Sequence, residues 1–354
     1  MTYQITRSTP TSRIALVAAL VLVAVLIAAP AWGSTATLRL LGEMLIYLAL
    51  ASLWNLLAGY TGLVSVGQQA YVGFGGYVLF SLAMHAGIHP LVAIPIVGLC
   101  AALISIPVAK LVFRLHGAYF AIGTWVVAEV FRLVFAQMSS LGGGSGTSLP
   151  VAIMRDLASS KAMRESMIYW TALTLGVGSA AFVYLLLRSR IGLALTAIRD
   201  SEIASSSLGI AIPRIKLAVY VCVSALTAMV GSLIFLQKLR IAPDAAFSVN
   251  DWTVLVIFMV VIGGIGTIEG PLVGVILFFL MRSFFADLGS IYLIILGVLA
   301  ITIMIVSPRG IWGIFSDRLG ISLLPVGYRV QANEDRDEAL PLHAVADPRG
   351  LRSR

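Results

Sequence analysis

Few side chains in this sequence are spaced for covalent chemistry. The histidines at 85, 89, 116 and 343 are not in metal-ligand spacing with carboxylates, and neither His-Glu-x-x-His nor Gly-x-Ser-x-Gly occurs. Cradling nucleotide phosphates takes a Gly-x-x-x-x-Gly-Lys-Ser/Thr loop, and none is present. Cys100 and Cys222 fall inside apolar runs and read as small packing residues. The sequence thus points to no catalytic residue, no metal site and no cofactor bound by this chain.

What remains is polar chemistry in apolar surroundings. Two glycine clusters, Gly59 to Gly76 and Gly263 to Gly274, each follow one apolar run and introduce another. Gly59, Gly62, Gly67, Gly263, Gly264, Gly266 and Gly270 permit helix breaks, and broken helices at membrane depth form solute sites in many transporters. On that reading Ser65, Gln68, Gln69 and Thr267 line a pore; on the other, the glycines only let helices approach closely. The two are compatible. Glu129 and Arg132 are three apart in an apolar run, so they share a helix face and pair, most simply as an interfacial ion pair near a span end. Asn55, beside Trp54, reads as an interhelical hydrogen-bond donor.

The longest polar stretch between apolar runs is 188–216. There Ala197, Ala204, Ser205, Ser206 and Ser207 sit beside Ile198, Ile203 and Leu208, with Asp200 and Glu202 before them and Gly209 placed to end a helix. This predicts a short helix with a low surface, suited to a groove on another protein.

These residues need elements to position them, and composition says which. The chain has 354 residues, 59% hydrophobic and 11% charged, with mean hydropathy +0.99. Polar groups cannot cover such a surface in water. A span needs about 20 apolar residues, and the runs that qualify are 14–38, 44–109 (long enough for three), 115–135, 166–187, 217–237, 252–268, 270–285 and 288–308. The expected fold is an all-α polytopic bundle of eight to ten spans, with Glu43 and Glu269 at wet span ends.

Cytoplasmic loops carry the excess of Lys and Arg. Ten spans put both ends on one side, and with a cytoplasmic N-terminus that side holds sixteen of the 24 basic residues, Lys110, Arg114, Arg188, Arg190, Arg199 and Lys216 among them. The net charge of +8 fits anionic lipid headgroups and not nucleic acid. The expected layout is a cytoplasmic N-terminus over 1–13, a membrane domain over 14–315 with 188–216 as a cytoplasmic loop, and a cytoplasmic tail over 316–354, disordered from about 327. The first apolar run is longer than a signal h-region and reads as an uncleaved anchor.

Four ordered landmarks over roughly 45–315 resemble the membrane subunits of ABC importers of the branched-chain amino-acid type, LivM-like subunits above all. They are NLLAGYTGLVSVGQQAYVGFGGY at Asn55 to Tyr77, Arg-Leu-x-Gly-x-Tyr-Phe-Ala-Ile-x-Thr at Arg114 to Thr124, Ser-Arg-x-Gly-x-Ala-x-x-Ala-Ile-Arg-Asp at Ser189 to Asp200, and Gly-Gly-x-Gly-Thr-x-x-Gly-Pro-x-x-Gly at Gly263 to Gly274. In that family the cytoplasmic loop carries small residues followed by Gly and forms a coupling helix docked on the ATPase. Ala204-Ser205 followed by Gly209 fits, although Ile203 stands where Glu is usual and Pro213 comes early.

The resemblance implies a permease that carries branched-chain amino acids, or urea and short amides, across a bacterial inner membrane. It implies a second permease subunit completing the pore, ATP-binding subunits on the cytoplasmic side, and a periplasmic binding protein delivering solute to the outer loops 136–167 and 238–251. Gly192, Ala197, Arg199, Asp200, Glu202, Ala204, Ser205 and Gly209 become the ATPase-coupling loop, and Tyr119 and Thr124 join the pore candidates. Gly142-Gly143-Gly144-Ser145-Gly146 reads as flexible contact surface in an outer loop. A self-contained secondary transporter shares the spans and glycine breaks but gives no reason for the coupling loop.

Overall fold

Helices follow the apolar runs, because in hydrocarbon every backbone amide must be satisfied within its own segment. The computed structural model describes residues 3–6, 10–157, 160–285, 291–307, 309–319, 323 and 329–332. After a short strand β1 (Tyr3–Thr6) come α1 (Pro10–Trp32), α2 (Thr35–Asn55) with a π-helical turn at Leu56–Tyr60, α3 (Gln68–His85), α4 (Pro90–Val112) and α5 (Ala118–Ala136). Strand β2 (Thr147–Ser148), α6 (Val151–Leu157) and α7 (Lys161–Arg188) follow, then the short helices α8 (Arg190–Asp200) and α9 (Glu202–Ser207). The rest comprises α10 (Ile212–Lys238), β3 (Arg240–Ile241), α11 (Pro243–Ala246), a π-helical turn at Asn250–Val254 leading into α12 (Leu255–Gly263), α13 (Gly270–Phe285), α14 (Ile291–Val306), α15 (Gly310–Leu319) and β4 (Arg329–Ala332).

Among the described residues eight helices are long and apolar enough to cross a membrane, within the expected range, and α13 is a shorter apolar helix. The chain is an all-α polytopic membrane protein. Its core is built on α2 and α10, the most buried spans; α2 packs along α7, and α10 along α3 and α4. Trp54, Tyr77, Phe80, Tyr169 and Phe235 are the large side chains wholly enclosed. β1 pairs antiparallel with β4, so residues 3–6 lie beside residues 329–332. Apart from 323 and 329–332, the tail beyond 319 lies outside the described residues, and with it most of the segment expected to be disordered.

Two boundaries differ from those read off hydropathy, for one reason. The first span stops at Trp32, where Ser34 accepts the Thr37 amide at 3.2 Å and starts a new helix at Thr35. Arg39 and Glu43 therefore lie inside α2, not at a wet span end. Both are paired, Arg39 with Glu165 of α7 at 2.5 Å and Glu43 with Arg282 of α13 at 2.7 Å. Pairing is what makes an ion tolerable within a span. Likewise α7 begins at Lys161 and not 166, because Ser160 caps it through the Met163 amide.

Candidate functional site

The first glycine break folds back along α2. After the π-helical turn ends at Tyr60, Gly62 to Gly67 form an irregular segment, and Trp54 Nε1 donates to the Ser65 carbonyl at 2.8 Å. Trp54 stands six residues before Tyr60, so the chain has climbed back about 9 Å by Ser65, at 1.5 Å per helical residue. Hence α3 starts beside the last turns of α2 and not beyond its end.

The approach to α12 is broken in the same way. After α11 the chain turns inward, and its π-helical turn at Asn250–Val254 lies beside Tyr47, midway along the continuous helix 35–60. The two interrupted starts meet: Thr253 Oγ1 accepts the Gln69 amide at 3.3 Å and donates to Gln69 Oε1. On the other side Thr124 Oγ1 accepts the Val66 amide at 3.0 Å, and Ser65 Oγ accepts that of Gly67 at 3.2 Å. Ser65, Gln68, Gln69 and Thr124 thus form one buried polar cluster. Gln68 is only 4% exposed, and its Nε2 has no hydrogen-bond partner among the described residues. A buried donor left unpaired costs about 1–3 kcal/mol.

Tyr119 does not join this cluster; it is exposed on α5. Thr267 belongs to a different junction, at the α8–α9 end of the bundle. There Gly263 ends α12, Gly264 and Gly266 turn the chain with φ of +136° and +74°, and Gly270 opens α13. Asn55 Nδ2 donates to the Thr267 carbonyl at 2.7 Å, and Asn55 Oδ1 accepts the Gly266 amide at 2.8 Å. The two glycine clusters therefore touch. A Cβ on Gly59 would stand 2.6 Å from the Gly266 nitrogen, so only glycine permits this approach. The expected interhelical role of Asn55 takes a sharper form, since it clips the end of α2 to the loop between α12 and α13.

The 188–216 segment folds as two helices, not the single short one expected. Ser201 separates them, capping α9 by accepting the Ala204 amide at 3.2 Å. Gly209 ends α9 with φ +78°; its amide reaches the Ser206 carbonyl at 3.0 Å, and that of Ile210 reaches Ser205 at 3.1 Å, the paired bonds of a Schellman turn. The coupling candidates divide by direction. Gly192 and Ser205 are buried, whereas Asp200, Glu202 and Ala204 face out with Ile203 and Leu208. Glu202 pairs with Lys216. Ala197 is half-buried, and Arg199, though exposed, reaches across to the end of α2: Nη1 donates to the Gly59 carbonyl at 3.5 Å, with the guanidinium over the Tyr60 ring at 5.9 Å. The loop meant for a partner thereby touches the Asn55 junction.

At the opposite end the two expected outer loops meet, β2 pairing antiparallel with β3. Glu129 and Arg132 pair at 2.5 Å, and Arg132 also reaches Asp244 of α11 at 2.8 Å. Below them Tyr77, Phe135 and Phe247 stack, the closest rings 4.7 Å apart. Thr253 and Asp244 were not among the site residues read from sequence; the only signal was a polar stretch, Ser248 to Asp251, before an apolar run.

Interrupted helices meeting at a buried polar cluster suit the passage of a small polar solute, not its chemical conversion. The sequence model of one family, described as "Branched-chain amino acid transport system / permease component", matches residues 36–307. The chain belongs to this family. It is a permease component of a branched-chain amino acid transport system, and not an enzyme. Among curated proteins the chain is similar to the high-affinity branched-chain amino acid transport system permease protein LivM of Escherichia coli strain K12, 29% identical with 82% of this chain and 74% of the relative covered. The Salmonella typhimurium LivM is 27% identical over the same shares. A probable LivM of Methanocaldococcus jannaschii is 25% identical, covering 67% of this chain and 73% of the relative. No solved structure matches. In this permease family member both glycine clusters, the Asn55 clip and α8–α9 lie within the matched residues.

Proposed function

We propose that the chain is half of the pore of an ABC importer, moving branched-chain amino acids inward with ATP hydrolysed on separate subunits that hold α8 and α9. The observation that carries this reading is α9 and its turn, where Ile203 and Leu208 are 83% and 79% exposed among charged and small residues. Large apolar side chains on a short polar segment outside the spans suit the groove of a partner. The segment carrying them runs straight to the junction of the glycine breaks through Arg199 and Gly59. Every relative compared is named for branched-chain amino acids, which favours that solute class over urea or short amides.

The rest of the assembly follows. The excess of Lys and Arg favours a cytoplasmic α8–α9 end with both termini on that side of the inner membrane. The β2–β3 end then faces the periplasm, where a binding protein delivers solute. The face of α5 bearing Tyr119, Ile122, Val126 and Glu129 is exposed, with Glu129 paired to Arg132 at its outer end; we assign this face to the second permease subunit. Solute passes beside Gln68, whose unpaired amide supplies a donor. ATP-driven closure of the partner subunits pushes α8 and rocks the halves about Asn55.

Reconstitution in proteoliposomes tests this. Leucine uptake should require the ATP-binding subunits and ATP, and should persist after an ionophore collapses the membrane potential. Uptake that survives ATP depletion but not loss of the potential identifies a self-contained transporter instead.

A further inference from the structure

The buried polar cluster at the start of α3 leaves its hydrogen-bond donors unevenly spent. A helix cannot satisfy its own first four amides. Here three of them have acceptors: Gly67 in Ser65 Oγ at 3.2 Å, Gln69 in Thr253 Oγ1 at 3.3 Å, and Ala70 in the Gly67 carbonyl at 3.0 Å. The fourth, that of Gln68, has none among the described residues. The same residue carries Nε2, also unpaired, on a side chain that is wholly enclosed. Gln68 therefore presents two unspent donors where the adjoining amides are committed.

Those donors lie at the positive end of a helix. α3 is 18 residues long and has no acidic residue in its first turn, and aligned peptide dipoles place about half a positive charge at such an end. Ser65, Gln68, Gln69, Thr124 and Thr253 are all uncharged, so no carboxylate of the cluster neutralises it. Gln68 is the first residue of α3, and a helical Cα–Cβ bond tilts toward the N-terminus, which directs its carboxamide back toward the helix start. Free N–H groups at a helix start suit an anion, and two donors on one residue match the two oxygens of a carboxylate.

We propose that the start of α3 is a carboxylate subsite, in which the Gln68 amide and Nε2 hold the α-carboxylate of an amino acid. Ser65, Thr124 and Thr253 are positioning residues, since each hydroxyl accepts a backbone amide of the segment that carries Gln68. The way in is across the irregular segment 62–66, whose Gly62 and Val64 are exposed and whose displacement breaks no helix. No charge in the cluster attracts an ammonium group, so the subsite reads the carboxylate end of the solute and discriminates against urea and short amides. That the carboxylate belongs to the transported solute rests on the importer reading; the binding itself does not.

The test uses the full-length chain in its native assembly, freed of any binding protein, in non-ionic detergent. Equilibrium dialysis is run without nucleotide and again after trapping with ATP and vanadate. The probes are L-leucine, 4-methylpentanoate, which keeps the carboxylate and lacks the ammonium, and L-leucinamide, which lacks the carboxylate. Leucine and 4-methylpentanoate should compete for one saturable site in at least one of the two states, and leucinamide should bind at least tenfold more weakly. Gln68→Leu should weaken leucine binding at least tenfold, with Gln68→Asn, which keeps a shorter amide donor, intermediate. Leucinamide binding as tight as that of leucine, wild-type binding in Gln68→Leu, or no carboxylate binding in either state overturns the assignment. Uptake that needs no ATP overturns the importer reading instead and leaves these results standing.

Discussion

The Asn55 carboxamide donates to the carbonyl of Thr267 at 2.7 Å across 212 residues of sequence, joining the two glycine-rich breaks of the permease at one end of the bundle. Its other atom holds the Gly266 amide, so a single buried side chain satisfies a donor and an acceptor that no helix can reach.

Asn55→Ala leaves both groups unpaired. At about 1–3 kcal/mol for each orphaned group, the variant should be destabilised by roughly 2–6 kcal/mol. The readout is a lowered midpoint of thermal unfolding in detergent; an unchanged midpoint argues against the clip.

The Arg39–Glu165 pair should respond asymmetrically. Glu165 has a side chain 6% exposed, whereas Arg39 is 51% exposed. Arg39→Ala strands a buried carboxylate and should cost about 3 kcal/mol, the scale for breaking a buried pair from one side. Glu165→Gln leaves only a half-exposed guanidinium and should cost about 1 kcal/mol. The double substitution should recover stability relative to Arg39→Ala alone. Equal losses from the two single changes would mean the burial difference carries no weight.

Gln68→Leu separates stability from function. Removing an unpaired buried amide should leave stability equal or raise it by about 1 kcal/mol, while leucine uptake per assembled complex falls at least tenfold. Normal uptake in this variant removes Gln68 from the solute path.

Ile203→Asp probes the partner surface without disturbing the fold. An exposed position on α9 should move stability by less than about 0.5 kcal/mol, yet the ATP-binding subunits should no longer co-purify. Gly209 is a poorer probe, since its φ of +78° strains any replacement and confuses folding with docking.

Hydropathy alone carries most of the fold, because each span must satisfy its own backbone and the apolar runs record that demand. Where it fails, paired charges are the cause: Arg39 and Glu43 look like a span boundary only until Glu165 and Arg282, far along the chain, are seen to neutralise them. The glycine clusters are legible as breaks, but their contact is not, since Asn55 and Gly266 share no periodicity. The same holds for Gln69 and Thr253. In the 188–216 segment the small residues mark an unusual surface, yet the reach of Arg199 to Gly59 and the burial of Ser205 depend on tertiary packing, which residue spacing does not encode.

The most direct test of the central claim is to purify the tagged full-length chain from its native membrane in mild detergent and identify its companions by mass spectrometry. We predict a second permease chain and an ATPase subunit in stable proportion, with the ATPase lost from Ile203→Asp. Repeated recovery of the chain folded, monodisperse and alone would contradict the claim and point to a transporter that powers itself.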